Sequence, residues 1–316
     1  MNSRPKNIAV ILNPEASWGA GGRIQPVVEA ELDRRKIPFE LFRTEAPGHA
    51  GALAQEAASR GADALLVVGG DGTIHEAVNG ILATEFPAPP LAVVPVGTGN
   101  DFFRMVGAEK DPARALDVLD QGSLGNFDVG HVRFGGSESF FVNLLGLGID
   151  VEILRKRTKF RKLRGLPQYL AGLASALTTF RPSSFRVSFR TAGRAGSVGS
   201  IEDRTILTAI TVGPSVGGGF LINPEASPFD GLLDLFFVRA LGIFKLSRYI
   251  PKVIRGTHGN VPELLQQTII GADVTRTDGE PFFFEMDGEP VAEPVKRLEV
   301  TVCPGKLPVL LPGRDE

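Results

Sequence analysis

One cysteine, Cys303, in 316 residues excludes an intramolecular disulfide framework and a cysteine-rich zinc module. That scarcity suits a reducing compartment, so a cytoplasmic location is expected. The four histidines (His49, His75, His131, His258) are scattered, and none falls at metal-ligand spacing. No segment reaches the roughly 20 apolar residues that a spanning helix needs. The first apolar stretch, after Asn7, is too short for a signal peptide and has no cleavage site. Neither sign of charge dominates: 34 Lys and Arg face 36 Asp and Glu, a net charge of −2, which excludes a global footprint for nucleic acid. There is no Gly-Lys-Ser/Thr phosphate loop. Gly146-Leu147-Gly148-Ile149-Asp150 lacks the third glycine of a dinucleotide fingerprint and reads as a glycine turn into a helix. Internal repeats and low-complexity segments are absent.

What is present is an alternation of short apolar runs and helical periodicity. The length suits two domains with real cores. A first strand covers 7–12 and a turn covers 13–23. A helix to about Arg35, a strand over 39–43 and a helix over 48–60 closed by Gly61 follow. A central strand ends at Gly69, a helix runs to about Leu82, a strand covers 91–96 and a helix 111–121. This order predicts a parallel sheet covered by helices. From Asn126 the pattern turns to strands at 127–132, 139–143, 185–189, 205–212, 232–238, 268–275, 282–286 and 298–302. Helices at 166–180 and 244–255 interrupt them. The fold class is therefore α/β plus β. A Rossmann-like parallel-sheet domain spans 1–126, and a mainly antiparallel β-sandwich domain spans 127–304.

The chain is organised around Leu65-Leu66-Val67-Val68-Gly69-Gly70-Asp71-Gly72-Thr73-Ile74-His75. An apolar run stops at glycines and a helical pattern begins, as in a buried strand, a tight turn and a helix start. Glycines let backbone approach a ligand closely, and N–H groups at a helix start can hold a phosphate. Asp71 stands where a magnesium ion bridging phosphates would need a carboxylate. The same letters also make an ordinary turn. A second apolar run, Leu91 to Val96, ends at Gly97-Thr98-Gly99-Asn100-Asp101-Phe102. Strand–helix–strand spacing makes the two runs parallel neighbours, with both glycine turns at the carboxyl edge where open α/β sheets bind ligands.

These two motifs together resemble the diacylglycerol kinase catalytic domain, and in particular the soluble bacterial lipid kinases related to sphingosine and ceramide kinases. The first motif is shared with NAD kinases and phosphofructokinases; the second is more specific to lipid kinases. The resemblance implies an ATP-dependent lipid kinase that moves the γ-phosphoryl group to a lipid hydroxyl in a cleft between two domains. Diacylglycerol, giving phosphatidic acid, is the first-choice acceptor. Nucleotide contacts are then expected from Asn13, Thr44, Gly69, Gly70, Asp71, Gly72, Thr73, Ile74, His75 and Thr98. Trp18 is insertion-like within the first turn. Asp71 and Asp101 match the carboxylates at the catalytic Mg2+. Asp101 also suits a helix N-cap, and its pairing with Asp71 across adjacent strand ends favours the metal role.

Asp287-Gly288-Glu289 is a strong hairpin signal, and the resemblance makes Glu289 the general base on the lipid hydroxyl. Asn223 to Asp234 resembles a structural magnesium loop, with the Asp230 carboxylate and the backbone carbonyls of Ser227 and Leu232 as ligands; an Asp-Gly turn is the plainer reading. The resemblance also implies that 305–316 return to the first domain. The basic run Arg155 to Arg164 reads either as a patch for anionic headgroups or as a solvated charge run. The expected partners are thus ATP and a lipid substrate at a membrane surface, met from the water side by peripheral association. No nucleic acid is expected, and a homodimer is left open. An NAD kinase shares Gly69 to Thr73, but Gly97 to Phe102 and the Asp287-Gly288-Glu289 turn argue against it. A lapsed kinase that only binds is the remaining alternative, disfavoured because every candidate carboxylate is present.

Overall fold

The computed structural model describes residues 5–97, 99–160, 162–163, 166–193 and 197–313. Its chain divides into two compact units, Met1–Phe127 with Gly305–Glu316, and Asp128–Pro304.

In the first unit the order is β1 (Ile8–Leu12), α1 (Ala16–Arg34), β2 (Phe39–Arg43), α2 (His49–Ser59), β3 (Ala64–Gly69), α3 (Asp71–Leu82), β4 (Leu91–Pro95) and α4 (Asp101–Met105). Two single turns, α5 (Pro112–Ala115) and α6 (Val118–Gln121), lead into β5 (Ser123–Phe134). The strands pair in parallel in the order β2-β1-β3-β4. β1 and β3 are buried on both faces, which is why they read as unbroken apolar runs rather than alternating ones. The register Gly69↔Pro95 sets both glycine turns at the carboxyl ends of neighbouring strands.

α2 and α3 touch through glycines. A Cβ on Gly80 would lie 2.1 Å from the Gly51 carbonyl oxygen, which is backbone and cannot swing aside. The Glu76 carboxylate accepts the Gly48 and Ala50 N–H groups and so caps α2. Gly80→Ala must push the helices apart; the expected loss is about 2 kcal/mol or more by urea unfolding. An unchanged midpoint would show that the helices separate freely.

The single helix expected over 111–121 is two turns instead. The buried Arg35 guanidinium donates to the Leu116 and Ala113 carbonyls and to Asp117 and Asp120. The segment mixes i→i+3 bonds such as Asp117 N to Arg114 O with i→i+4 bonds such as Ala115 N to Asp111 O. Burial alone would lower the Arg35 pKa, but Asp117, Asp120 and Glu31 outweigh it and hold the group charged.

The second unit continues with β6 (Ser137–Phe141), β7 (Leu144–Gly148), α7 (Ile149–Arg157), α8 (Leu166–Leu177), β8 (Ser183–Arg190), β9 (Val198–Thr211), β10 (Leu233–Arg239) and α9 (Ile243–Ile254). Then come β11 (Leu264–Ile269), β12 (Gly271–Arg276), β13 (Phe284–Met286), β14 (Glu289–Pro290) and β15 (Arg297–Leu311). These strands pair antiparallel, in a sandwich-like arrangement. The long β9 takes β8 along its first half and β7 and β10 along its second.

Three details differ from the sequence reading. Gly146 lies inside β7 rather than in a turn, and α7 starts only after Gly148. The single strand expected over 268–275 breaks at Ile270, because β11 pairs with β10 while β12 pairs with β8 and β15. The two last segments are one strand, β15, which pairs with β12 at its start and with β4 at Val309.

Candidate active site

The first part of the site grows from the carboxyl ends of β3 and β4. β3 ends at Gly69. A Cβ there would sit 2.7 Å from the Thr73 side chain, so only glycine lets α3 fold back this tightly. Gly70 takes the cap position in extended backbone and has no side chain to cover the helix start. The partial positive end of a twelve-residue helix, with Gly72 and Thr73 in its first turn, favours an anion there.

Asp71 is the first residue of α3, and its Oδ2 accepts the Asn100 N–H at 2.9 Å. Asp101 is the first residue of α4 and is only 6 % exposed. Gly99 brings the two together. A Cβ on Gly99 would lie 2.8 Å from Asp71 Oδ2 and 4.0 Å from Asp101 Oδ2. Two carboxylates thus converge on a space that exists because residue 99 has no side chain. The Arg104 guanidinium reaches Asp101 Oδ1 at 2.7 Å, so this pocket already attracts positive charge. The N-cap reading of Asp101 is overturned, because Asn100, left-handed at φ 56, takes the cap position.

The other expected nucleotide residues are placed unequally. Asn13 Nδ2 donates to Thr73 Oγ1 at 3.0 Å and Asn13 Oδ1 accepts the Glu15 N–H, so both side chains brace the turn itself. Thr44 is buried at the end of β2, its N–H bonded to Leu12 O. The Ile74 side chain is wholly buried in the core, and its N–H bonds to the Gly70 carbonyl at 3.1 Å. His75 is half-buried, with Asn79 Nδ2 donating to its carbonyl. Thr98 lies outside the described residues. At Trp18 the backbone is left-handed at three successive residues, Ser17, Trp18 and Gly19, an unusual local strain beside Asn13.

In the second unit, Asp287 and Gly288 both have positive φ, 52° and 90°, and join β13 to β14 as the Asp-Gly pair leads one to expect. Asp287 does more than turn the chain. Its Oδ1 accepts the N–H groups of Asn143 and Leu144 and its Oδ2 that of Val142, so the turn is tied to the start of β7. Glu289 follows as an exposed residue opposite Met286. Behind it lies a buried polar chain that sequence reasoning missed: Glu285, Asp150 and Tyr169. Its signal was Glu285 itself, a carboxylate within the apolar run Phe282 to Met286.

Ser227, Asp230 and Leu232 lie in one loop before β10. Asp230 Oδ1 accepts the Leu232 N–H at 3.0 Å, and Asp128 Oδ2 accepts the Gly231 N–H at 2.7 Å. Burial, then the charge of Asp128, raises the Asp230 pKa. Nearby Asp234 is pushed up to about 6, chiefly by burial, against the Thr268 hydroxyl and with help from Asp230 and Glu225. Such mutual repulsion is what a bound cation relieves. No cluster of three or more His, Cys, Asp or Glu side chains is placed to hold a metal among the described residues, so any ion here relies on backbone carbonyls and water.

A cavity of about 80 Å³ opens inside the second unit, walled by apolar side chains of α7, α8, β9, β10 and α9. Asp150 and Tyr169 are at its lining, with Leu246, Tyr249, Ile250 and Val253 of α9 across from them.

Residues 7–132 match the diacylglycerol kinase catalytic domain family, and residues 143–311 match the YegS C-terminal NAD kinase beta sandwich-like domain. A diacylglycerol kinase of Bacillus subtilis (strain 168) is 31 % identical over 290 residues, 90 % of each chain. The chain belongs to the diacylglycerol kinase family. A diacylglycerol kinase of Mycobacterium tuberculosis (strain ATCC 25618 / H37Rv) is 29 % identical over 261 residues, 81 % of each chain. Two crystal structures from Bacillus anthracis str. Sterne, each covering 98 % of this chain, superpose with TM-scores of 0.80 and 0.72 at 23 % and 22 % identity. The second of these is described as a diacylglycerol kinase; the likeness establishes the shared fold. This kinase is a lipid kinase of the transferase class. None of its described helices is long and apolar enough to cross a membrane.

Proposed function

We propose that this kinase uses ATP and magnesium to phosphorylate a lipid hydroxyl, with diacylglycerol as the first acceptor to test. The observation that carries the reading is the convergence of Asp71 and Asp101 over Gly99, beside the glycine-led start of α3. Phosphoryl transfer needs a held nucleotide, offset charge and a positioned hydroxyl. Gly69 to Thr73 would hold phosphate oxygens through backbone N–H groups and the helix end. Asp71 and Asp101 would hold magnesium, which neutralises charge on the phosphoryl oxygens when bound. Glu289 would accept the proton of the lipid hydroxyl. The apolar cavity supports a hydrocarbon acceptor.

The first measurement is transfer of labelled phosphate from ATP into a panel of lipids in mixed micelles, with magnesium and then with chelator. Label in a lipid that disappears with chelator is the expected result. Label in NAD and in no lipid would overturn it.

Peripheral attachment to anionic membranes is part of the proposal, and α9 is its best support. Phe244 is 88 % exposed, and Arg248, Lys252 and Arg255 follow on the same outer stripe, while the inner stripe covers the cavity. The first three cations of the basic run, in the last turn of α7, have partners within the second unit. Arg155 stacks on Phe283, Lys156 donates to Ser175 O and Arg157 to Gly288 O. Arg161 and Arg164 lie outside the described residues. The double change Arg248→Glu with Lys252→Glu is expected to weaken binding to phosphatidylserine-containing vesicles roughly tenfold or more, at about 1 kcal/mol per basic residue lost. Equal co-sedimentation of variant and wild type would remove α9 from the interface.

The loop at Asp230 is proposed to hold a structural magnesium through the Asp230 carboxylate and the carbonyls of Ser227 and Leu232. Magnesium should then raise the melting temperature of the wild type more than that of Asp230→Ala.

A further inference from the structure

Glu285 lies on β13 and is wholly buried. Its Oε2 accepts the Gly288 N–H at 2.7 Å. Its Oε1 meets no fixed donor among the described residues. Asp150, at the start of α7, is 4 % exposed, and its Oδ1 accepts the Tyr169 hydroxyl at 2.8 Å. The two carboxyls meet above Gly146. A Cβ on that residue would lie 2.6 Å from Glu285 Oε1 and 2.7 Å from Asp150 Oδ2. Any other residue at 146 would drive them apart.

Two buried carboxylates this close cannot both be ionised. A proton held between them supplies the donor that Glu285 Oε1 lacks, and the pair titrates as a unit. Burial first, and the Asp150 charge second, hold Glu285 well above the ordinary carboxyl range; burial raises Asp150 as well. The other groups facing the pair are Tyr169 of α8, Arg157 of α7 and Asp287 of the turn. Of these, Arg157 also donates to the Gly288 carbonyl at 3.2 Å. Gly288 is thus gripped on both sides, its N–H by Glu285 and its C=O by Arg157.

We propose that Glu285, in its protonated pair with Asp150, is the positioning residue of the acidic turn, fixing the Gly288 peptide and through it the carboxylate of Glu289. This rests on the reading of Glu289 as the base. The pair with its single shared proton does what a fully ionised one could not. It anchors the turn from below with one negative charge behind the base instead of two. Because Tyr169 joins the chain and also lines the apolar cavity, the anchor continues to the wall of the proposed acceptor site.

The test compares Glu285→Gln with Glu285→Leu in the full-length kinase. Glutamine can accept from Gly288 and donate to Asp150, replacing the shared proton by a fixed one. Leucine can do neither. Glu285→Gln should keep kcat within about threefold of wild type. Glu285→Leu should lose about 10²-fold in kcat, the effect of misplacing a reacting group by about 1 Å, with the KM for ATP unchanged. Hydrogen exchange of the peptide spanning 284–291 should quicken in the leucine variant and not in the glutamine variant.

The pH dependence of melting reads the proton directly. With folded pKa values raised, the stability it contributes is fully present below about pH 4 and is lost as pH rises towards the folded value. Glu285→Gln should flatten that fall. Equal kcat losses in both variants, a leucine variant within threefold of wild type, or an unflattened melting profile would each overturn the proposal. A wild type that labels no lipid in the panel would overturn the functional reading and the positioning role with it. That failure is distinguishable, because there would be no kcat to lose while the exchange difference at Gly288 persisted.

Discussion

Asp71→Asn is expected to lower kcat by about 10³-fold while the fold survives. The amide is nearly the size of the carboxylate and keeps an oxygen for the Asn100 N–H, so the turn between β4 and α4 stays tied to α3. What disappears is one negative charge facing the space over Gly99. Groups preorganised at a water-poor reaction centre are typically worth 10²–10³ in rate, and losing a metal carboxylate belongs at the upper end of that range. Steady-state kinetics with varied magnesium would check this, with melting temperature as the control. The expected change in melting temperature is no more than about 4 °C, corresponding to roughly 1 kcal/mol. A variant that keeps a tenth of wild-type kcat would remove Asp71 from the chemistry. Gly99→Ala should act in the same direction, since its Cβ would enter the space the two carboxylates share.

The second large effect is expected at Glu289. Glu289→Gln should reduce kcat by about 10²–10⁴-fold, the range for removing a general base, and leave the KM for ATP within twofold. Glu289 is exposed, and the turn is held by hydrogen bonds through Asp287, Gly288 and Glu285. Stability should therefore scarcely change, and a loss of rate cannot be assigned to unfolding. Glu285→Leu is expected to lose less rate and more stability, because it empties a buried position. If Glu289→Gln retains near-full activity on the labelled lipid, another group takes the hydroxyl proton. The buried pair would be a poor replacement, since both carboxyls are enclosed.

Much of this was legible in the chain. Alternating apolar runs and helical periods announced a parallel sheet followed by an antiparallel one, because the patterns of buried strands and amphipathic helices are local. The glycine turns after β3 and β4 could be placed side by side from spacing alone, and Asp71 and Asp101 do converge on Gly99. Side-chain direction was harder to read. Ile74 sits within a glycine-rich motif yet faces the core, and Asn13 and Thr73 bond to each other. The helix expected over 111–121 divides into two turns where the Arg35 guanidinium, far away in sequence, shares two of its carbonyls. The strand expected over 268–275 divides because its halves have different partners.

The sequence by itself determined the elements, the two glycine turns, the hairpin that carries Glu289 and the family resemblance, all of which rest on residues close together in the chain. Tertiary structure decided which charges meet. It set Glu285 against Asp150 over a glycine of β7, closed an apolar cavity beneath α9, and gave Lys156 and Arg157 in the last turn of α7 carbonyl partners within the unit. The physical reason is that propensity and turn chemistry act over a few residues. Burial and electrostatics depend on strand pairings and helix contacts between distant segments, and those exist only after the chain has folded.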